Sequence, residues 1–282
     1  MKRAVALPLG LDLGTSSLSI VAAELATDGA FAVRAASTHD VPFEENVPVD
    51  RTIAETLRSA VGRLDGKERR CVLAAPAGDV TMRIFNLPPG MRRAEAERAA
   101  ALEADTVSPL AASERLIALD PLPGRTDQML LTVARNSSVE RLVGIARAAG
   151  LQPVAVDAPF CAWRRALSRA DAVLDASGDR ATLTIFGDPI GTSHAYPPRL
   201  IEDRLVPQVR AALADARRSG LADVRRLAVL GPHDRFEGMV EHLTPDGYTV
   251  EPVVLGGTHA PSWALAYGLA SWVLAGRGVV AA

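Results

Sequence analysis

The sequence predicts an α/β protein of two similar lobes, with a small α+β subdomain inserted into the first. Three observations lead to that fold class. An apolar strand ending in Leu11-Asp12, a turn of small residues and the alternating run Leu18-Ser19-Ile20 are echoed later. The echo is Leu174-Asp175, a second small-residue turn and Leu183-Thr184-Ile185. Such a pseudo-repeat implies two lobes around a cleft, each presenting an aspartate and a turn. The stretch from about residue 77 to 150 runs strand, helix, strand, strand, helix, and interrupts a first lobe that resumes at 151–157. Finally, 282 residues, 48% of them hydrophobic and 23% charged, suffice for a sizeable globular core.

Each element has its own warrant. Residues 4–9 make the first strand, the turn Gly14-Thr15-Ser16-Ser17 leads into a second, and Asp28-Gly29 leads into a third over 31–35. Asp50 stands where it would cap a helix over 50–64, with Ile53, Leu57 and Val61 on one face. Residues 71–75 form a short buried strand stopped by Pro76. Within the insertion, 80–85, 116–119 and 128–133 have strand character. Residues 92–105 form a helix on which Glu95, Glu97 and Glu103 mingle with Arg92, Arg93 and Arg98 as a solvated face. Ser137-Ser138-Val139-Glu140 has the form of a capping box opening a helix that ends at Gly150.

A strand over 151–157 and a helix over 159–167, capped by Asp157, return to the first lobe. The second lobe follows with strands at 172–176 and 181–186 and one long helix over 200–219. A strand at 226–231, a helix at 236–243, a strand at 249–255 and an apolar closing helix over 260–275 complete it. The expected division is 1–76, 77–150, 151–171 and 172–282.

The chemistry concentrates in Gly10-Leu11-Asp12-Leu13-Gly14-Thr15-Ser16-Ser17. Gly14 removes a Cβ from a turn in which Thr15, Ser16 and Ser17 present N–H groups and hydroxyls, a concave nest for an anion such as phosphate. Asp12, at the strand end, could hold a hydrated Mg²⁺. The alternative is an ordinary hairpin whose aspartate caps its own turn.

Other chemistries find less support. A net charge of -2, from 31 basic and 33 acidic residues, with 4% aromatics, argues against nucleic-acid binding. The five histidines show no HxxxH spacing, and there is no GxSxG elbow. Cys71 and Cys161 lie far apart and are expected as reduced thiols. The N-terminal apolar run is short and broken by Pro8, and 262–275 is too short to span a bilayer. A cytoplasmic location is the expectation.

These residues resemble the PilM family, the actin-like proteins of type IV pilus assembly related to the cell-division protein FtsA. The resemblance runs along nearly the whole chain. The stretch 10–17 is similar to the family's first phosphate loop, and Leu174-Asp175 to its second. Residues 80–87, the helix at 94–104 and Ser108-Pro109-Leu110 resemble the start of the family's subdomain 1C. Val133-Ala134-Arg135, residues 139–150 and 151–157 resemble the exit from it. Leu230-Gly231-Pro232-His233 stands at the adenosine-binding turn, and Ala266-Tyr267-Gly268-Leu269-Ala270 in the final helix.

The resemblance implies an actin-like (ribonuclease H-like) two-lobed fold with an inserted 1C subdomain. It also implies an ATP and Mg²⁺ site on Asp12, Gly14, Thr15, Ser16, Ser17, Asp175, Ser177, Gly178 and Gly231, with the two aspartates toward the metal. The departures bear on that site. Ser177 occupies the glycine position of an expected Asp-x-Gly, with Gly178 one residue late. Only Gly231 remains of a glycine run, and Ser19 replaces a basic residue frequent in the first hairpin. The interval from Phe186 to Leu230 is shorter than the family's, which implies a reduced second lobe.

One clean loop with two eroded ones argues for nucleotide binding that is weak or lost, and against useful turnover more than against binding; ATP and Mg²⁺ stay open as ligands. What the resemblance then implies is an adaptor that grips the N-terminal cytoplasmic tail of a PilN-like single-pass inner-membrane protein, in a groove between subdomains 1A and 1C bounded by the helix at 94–104 and its neighbouring strands. It would meet other pilus assembly proteins and reach the inner membrane only through its partner. The alternatives are an ATP-binding actin-like switch and a cytoplasmic scaffold of a type II secretion-like system.

Overall fold

The computed structural model describes residues 4–275 except 44, 65, 89, 123–124, 126, 178–180, 188–190, 198–203, 232, 256–257 and 260–261. The chain forms two compact units, Met1–Ala162 with Leu265–Ala282, and Trp163–Ala264. The first begins with β1 (Val5–Ala6), β2 (Leu9–Leu13), β3 (Ser17–Leu25), β4 (Phe31–Asp40), α1 (Val49–Gly62) and β5 (Arg70–Ala74). It continues with β6 (Val80–Asn86), α2 (Arg93–Val107), β7 (Arg115–Pro121), β8 (Gln128–Arg135), α3 (Asn136–Ala148) and β9 (Gln152–Asp157), and the division between the units falls within α4 (Pro159–Ala166).

The second unit holds β10 (Ala172–Asp175), β11 (Ala181–Ile185), β12 (Thr192–Tyr196), α5 (Leu205–Arg218) and β13 (Arg226–Leu230). After these come α6 (His233–Leu243), β14 (Thr249–Pro252), and the short pair β15 (Val254–Leu255) and β16 (Thr258–His259). α7 (Ala264–Ala270) then leads back to the first unit.

Both units have one topology. In the first, β2, β3 and β4 form an antiparallel meander, β5 lies parallel to β2, and β9 parallel to β5. In the second, β10, β11 and β12 repeat the meander, with β13 parallel to β10 and β14 parallel to β13. The registers repeat as well. Leu11 pairs with Ile20 and Asp12 with Ser19, as Leu174 pairs with Leu183 and Asp175 with Thr182. The echo in the sequence is therefore an echo in hydrogen-bonding register, and it sets an aspartate at the end of each central strand.

Alternation decides what covers each sheet. On β2, Leu9 and Leu11 face a core shared with Ile53, Leu57 and Val61 of α1 and Leu142 and Ile145 of α3. Burying each such side chain contributes about 1.5–3 kcal/mol. Gly10 faces the other way, against α7. A Cβ at Gly10 would fall well inside contact distance of the Ala266 carbonyl oxygen, and one at Gly268 would strike the Ala162 carbonyl. Two glycines thus let a helix backbone lie directly on a strand and on its neighbouring chain. In the second unit α5 places Leu205, Val209 and Leu213 on one stripe against Leu174, Leu183 and Leu227.

The insertion has a sheet of its own, ordered β6-β8-β7 and antiparallel throughout. α2 covers one face through Ala96, Ala100 and Ala104, against Leu119, Leu131 and Val133. Small alanines at i, i+4 and i+8 bring the helix close to that sheet. Its charged side is solvated as expected, with Arg93 to Glu97 at 2.9 Å and Arg83 to Glu103 at 3.4 Å.

Several local expectations give way to tertiary contacts. Asp50 does not cap α1: its carboxylate accepts from Arg141 on α3 at 2.8 Å, while Pro48 stands at the N-cap. Ser137 does not cap α3 either: the helix begins at Asn136 with Arg135 at the cap position, and the neighbouring Ser138 hydroxyl donates to Asp79 at 2.7 Å. α3 packs with α1 in the main core, not on the small core of the insertion. The strand expected over 249–255 is two, β14 and β15, and the closing helix ends at Ala270 before a 3-10 turn over Trp272–Ala275. β12 has no counterpart among the expected elements, and α5 starts at Leu205; positions 200–203 of the expected helix lie outside the described residues.

Candidate functional site

The first turn is tight because Gly14 makes it so. Its N–H donates to the Ser17 carbonyl at 2.9 Å, and a Cβ there would come to 2.7 Å from that same oxygen. Thr15 and Ser16 are exposed at the tip, and Ser17 opens β3. Asp12, half-buried, lies on the Gly10 side of β2 at the strand end. Opposite it, Ser19 is buried and its hydroxyl shares a 2.9 Å hydrogen bond with Thr38 on β4. Asp12, Gly14, Thr15, Ser16 and Ser17 thus form one compact group of carboxylate, hydroxyls and turn backbone.

The second unit assembles Asp175, Ser177 and Gly231. Ala176 donates to the Leu230 carbonyl at 2.7 Å, which ties the turn after β10 to the end of β13. Gly231 has φ +157, and a Cβ on it would come to 3.0 Å from the Ala176 carbonyl oxygen. The Asp175 carboxylate is already engaged. Its Oδ1 accepts from Ser177 N at 3.1 Å and from Ser177 Oγ at 2.6 Å, an Asx turn closed by a hydroxyl. A glycine at 177 would leave only the backbone half of that clasp. Gly178 and Pro232 lie outside the described residues.

Sequence reasoning missed Arg235. One turn into α6, its guanidinium donates to the Ala176 carbonyl, so a permanent positive charge stands beside the second aspartate's turn. The only signal was its position shortly after Leu230-Gly231. His233 opens α6 on the surface, where its ring lies 3.1 Å from Glu237.

Desolvation pushes the Asp175 carboxyl above its ordinary value of 3.8, against the two Ser177 bonds that pull it down. The folded chain therefore holds this proton to higher pH than the unfolded chain does. Stability contributed here is present below the unfolded value and declines as pH rises from about 4 through the folded value. Asp175→Asn, which cannot ionise, is expected to lose less stability than the wild type between acid and neutral pH. Urea unfolding across that range measures it, and parallel curves for the two proteins would contradict it. Burial likewise pushes the Cys71 thiol up to about 12, as suits a core cysteine without redox chemistry.

A third surface belongs to the insertion. On the side of its sheet away from α2, paired residues form rungs. Val80 and Leu116 pack against the main core of the first unit. The next rungs, Met82-Thr132-Ala118 and Ile84-Leu130-Asp120, follow outward. Met82, Ile84, Leu130 and Ala118 are each half-buried. Among the described residues no helix is long and apolar enough to cross a membrane.

The family model for the type IV pilus assembly protein PilM matches residues 10–195. Among solved structures, the PilM-PilN type IV pilus biogenesis complex is similar with TM-score 0.73 and 20% identity, over 93% of this chain and 97% of that one. The cytoplasmic domain of EpsL, an inner-membrane component of the type II secretion system of Vibrio cholerae, aligns with TM-score 0.56 and 13% identity. That alignment covers 98% of this chain and 97% of the other. A Bacteroides thetaiotaomicron protein described as having an actin-like ATPase fold aligns with TM-score 0.50 and 8% identity, over 92% and 95% of the two chains. A search of curated protein sequences finds no match. The duplicated topology and these likenesses define the fold as actin-like.

Proposed function

The chain belongs to the PilM family of type IV pilus assembly proteins, and from that premise we propose that it is a cytoplasmic adaptor whose working ligand is a partner's tail, not a nucleotide. The partner is a PilN-like single-pass inner-membrane protein, through which the chain associates with the membrane and with other pilus assembly proteins. Its N-terminal cytoplasmic segment would lie along the half-buried sheet face of the insertion, beside the main body of the first unit. The observation that carries this reading is that face: α2 covers one side of the three strands, the main core covers the near end of the other, and beyond it Met82, Ile84 and Leu130 stay half-buried, in reach of an apolar segment. Burying a few such side chains contributes about 1.5–3 kcal/mol each.

The nucleotide site supports the same reading by its wear. The donors of the first turn are fit to meet a phosphate, and Asp12 would turn a carboxylate to Mg²⁺. When bound, Mg²⁺ would supply charge neutralisation between phosphate oxygens. The second turn fits less well, because Ser177 already occupies one of the two Asp175 carboxylate oxygens through both its N–H and its hydroxyl. Ser19, tied to Thr38, adds no charge to the first turn.

The intact first turn is what favours a second reading, an ATP-dependent switch. Calorimetric titration of Mg²⁺–ATP separates the two, with Asp12→Ala as control. The adaptor reading expects no saturable heat at millimolar ATP and no thermal stabilisation. Saturable binding abolished by the substitution would establish the switch.

A further inference from the structure

The face proposed to receive the partner is not purely apolar. Asp120 stands on it, in the rung with Ile84 and Leu130. Neighbouring residues across antiparallel strands project to the same side, so this carboxylate shares the surface of two aliphatic side chains. Among the described residues Asp120 has no ion-pair or hydrogen-bond partner. Arg93, the cation that acts on it, is held by Glu97 at 2.9 Å. A second carboxylate, Asp157, acts on Asp120 from the end of β9. Asp157 is buried, and its Oδ1 accepts from Ala158 N at 2.9 Å. Two negative groups thus bear on one half-buried apolar face. Desolvation and then Asp157 push the Asp120 carboxyl above its ordinary value, as happens when a charge lacks its complement. On a face read as the seat of a peptide, the complement to such a carboxylate is a cation carried by that peptide.

We propose that the segment bound on this face is an apolar peptide carrying one ammonium or guanidinium group, and that this group pairs with Asp120. The inference rests on the reading of this face as the partner's seat and deepens it. The cation fixes register: apolar side chains fill the space over Met82, Ile84 and Leu130, and the charge allows one placement along the rungs. A mispaired segment would leave a carboxylate buried without a partner, a larger penalty than the pair's net gain.

Selection from a library of random octapeptides on the full chain tests this. Wild-type protein is expected to select apolar peptides enriched in lysine or arginine, or peptides whose free N-terminus supplies the charge. Synthetic versions with and without N-acetylation tell these two sources apart. Asp120→Asn should weaken the selected peptides about tenfold or more, and Asp120→Lys should shift selection toward acidic peptides while thermal melting stays near wild type.

Apolar peptides without cation enrichment, competed by an Ile84→Asp surface, would overturn the Asp120 pairing and leave the seat standing. Cationic peptides equally tight on Asp120→Asn would overturn the pairing too. Peptides indifferent to Ile84→Asp, or none selected at all, would overturn both.

Discussion

Gly10→Ala is expected to lower the chain's stability by about 3 kcal/mol, or about 6–12 °C in Tm. The reason lies in backbone meeting backbone. The added methyl would collide with the Ala266 carbonyl and crowd the Ala270 nitrogen, neither of which can swing aside as a side chain end does. α7 must lift from β2, and Leu269 and Ala270, both buried, would be exposed with it. Gly144→Ala is the matched control. It sits on the outer side of α3 with nothing within 4 Å of its Cβ, so it should stabilise by up to about 1 kcal/mol. Denaturant unfolding of both variants gives the comparison. Equal, small effects would mean that α7 does not lie against β2 as described.

Leu131→Ala is expected to cost about 2–5 kcal/mol, concentrated in the insertion. Leu131 is fully buried in a core with Leu119, Val133 and the alanines of α2, ringed by the partly buried Phe85, Leu87, Met91, Val107 and Met129. It is the largest fully buried side chain of that core, so its truncation leaves a cavity there. Hydrogen exchange should show β6, β7, β8 and α2 opening while β2, β3 and β5 stay protected. Binding of the partner's tail should fall with them, although Leu131 faces α2 and not the proposed seat. Uniform loss of protection across both sheets would contradict a separately packed insertion.

Much of the fold was legible because it repeats. The Leu-Asp strand ends, the small-residue turns and the alternating runs that follow are local patterns, and each was strong enough to be seen twice. β12 was not legible. Thr192, Ser193 and His194 are partly or fully exposed on an edge strand, so no apolar alternation marks them. The misassigned caps have another cause. Asp50 carries a side chain that caps use, but Arg141, distant in sequence, offered a charged partner; α3 begins one residue early, at Asn136, which leaves Ser137 inside the helix. Tertiary partners outcompete a lone N–H when they bring opposite charge or a carboxylate acceptor.

Within the candidate site the aspartates and turn glycines were legible as a pattern, because the same Leu-Asp strand end and small-residue turn occur twice. The sequence showed that a serine replaced a glycine at 177, and the structure adds what that serine does to Asp175. Arg235 and Asp120 stayed hidden among ordinary surface charges. Their significance comes from a carbonyl 59 residues away and from a register across three strands.

The most direct test of the adaptor reading is fluorescence anisotropy of a labelled N-terminal cytoplasmic peptide from a PilN-like partner, titrated with this chain with and without millimolar Mg²⁺–ATP. Saturable binding with one affinity in both conditions, unchanged by Asp12→Ala and weakened by Ile84→Asp, is the predicted result. Binding that appears only with ATP, or none in either condition, would contradict it.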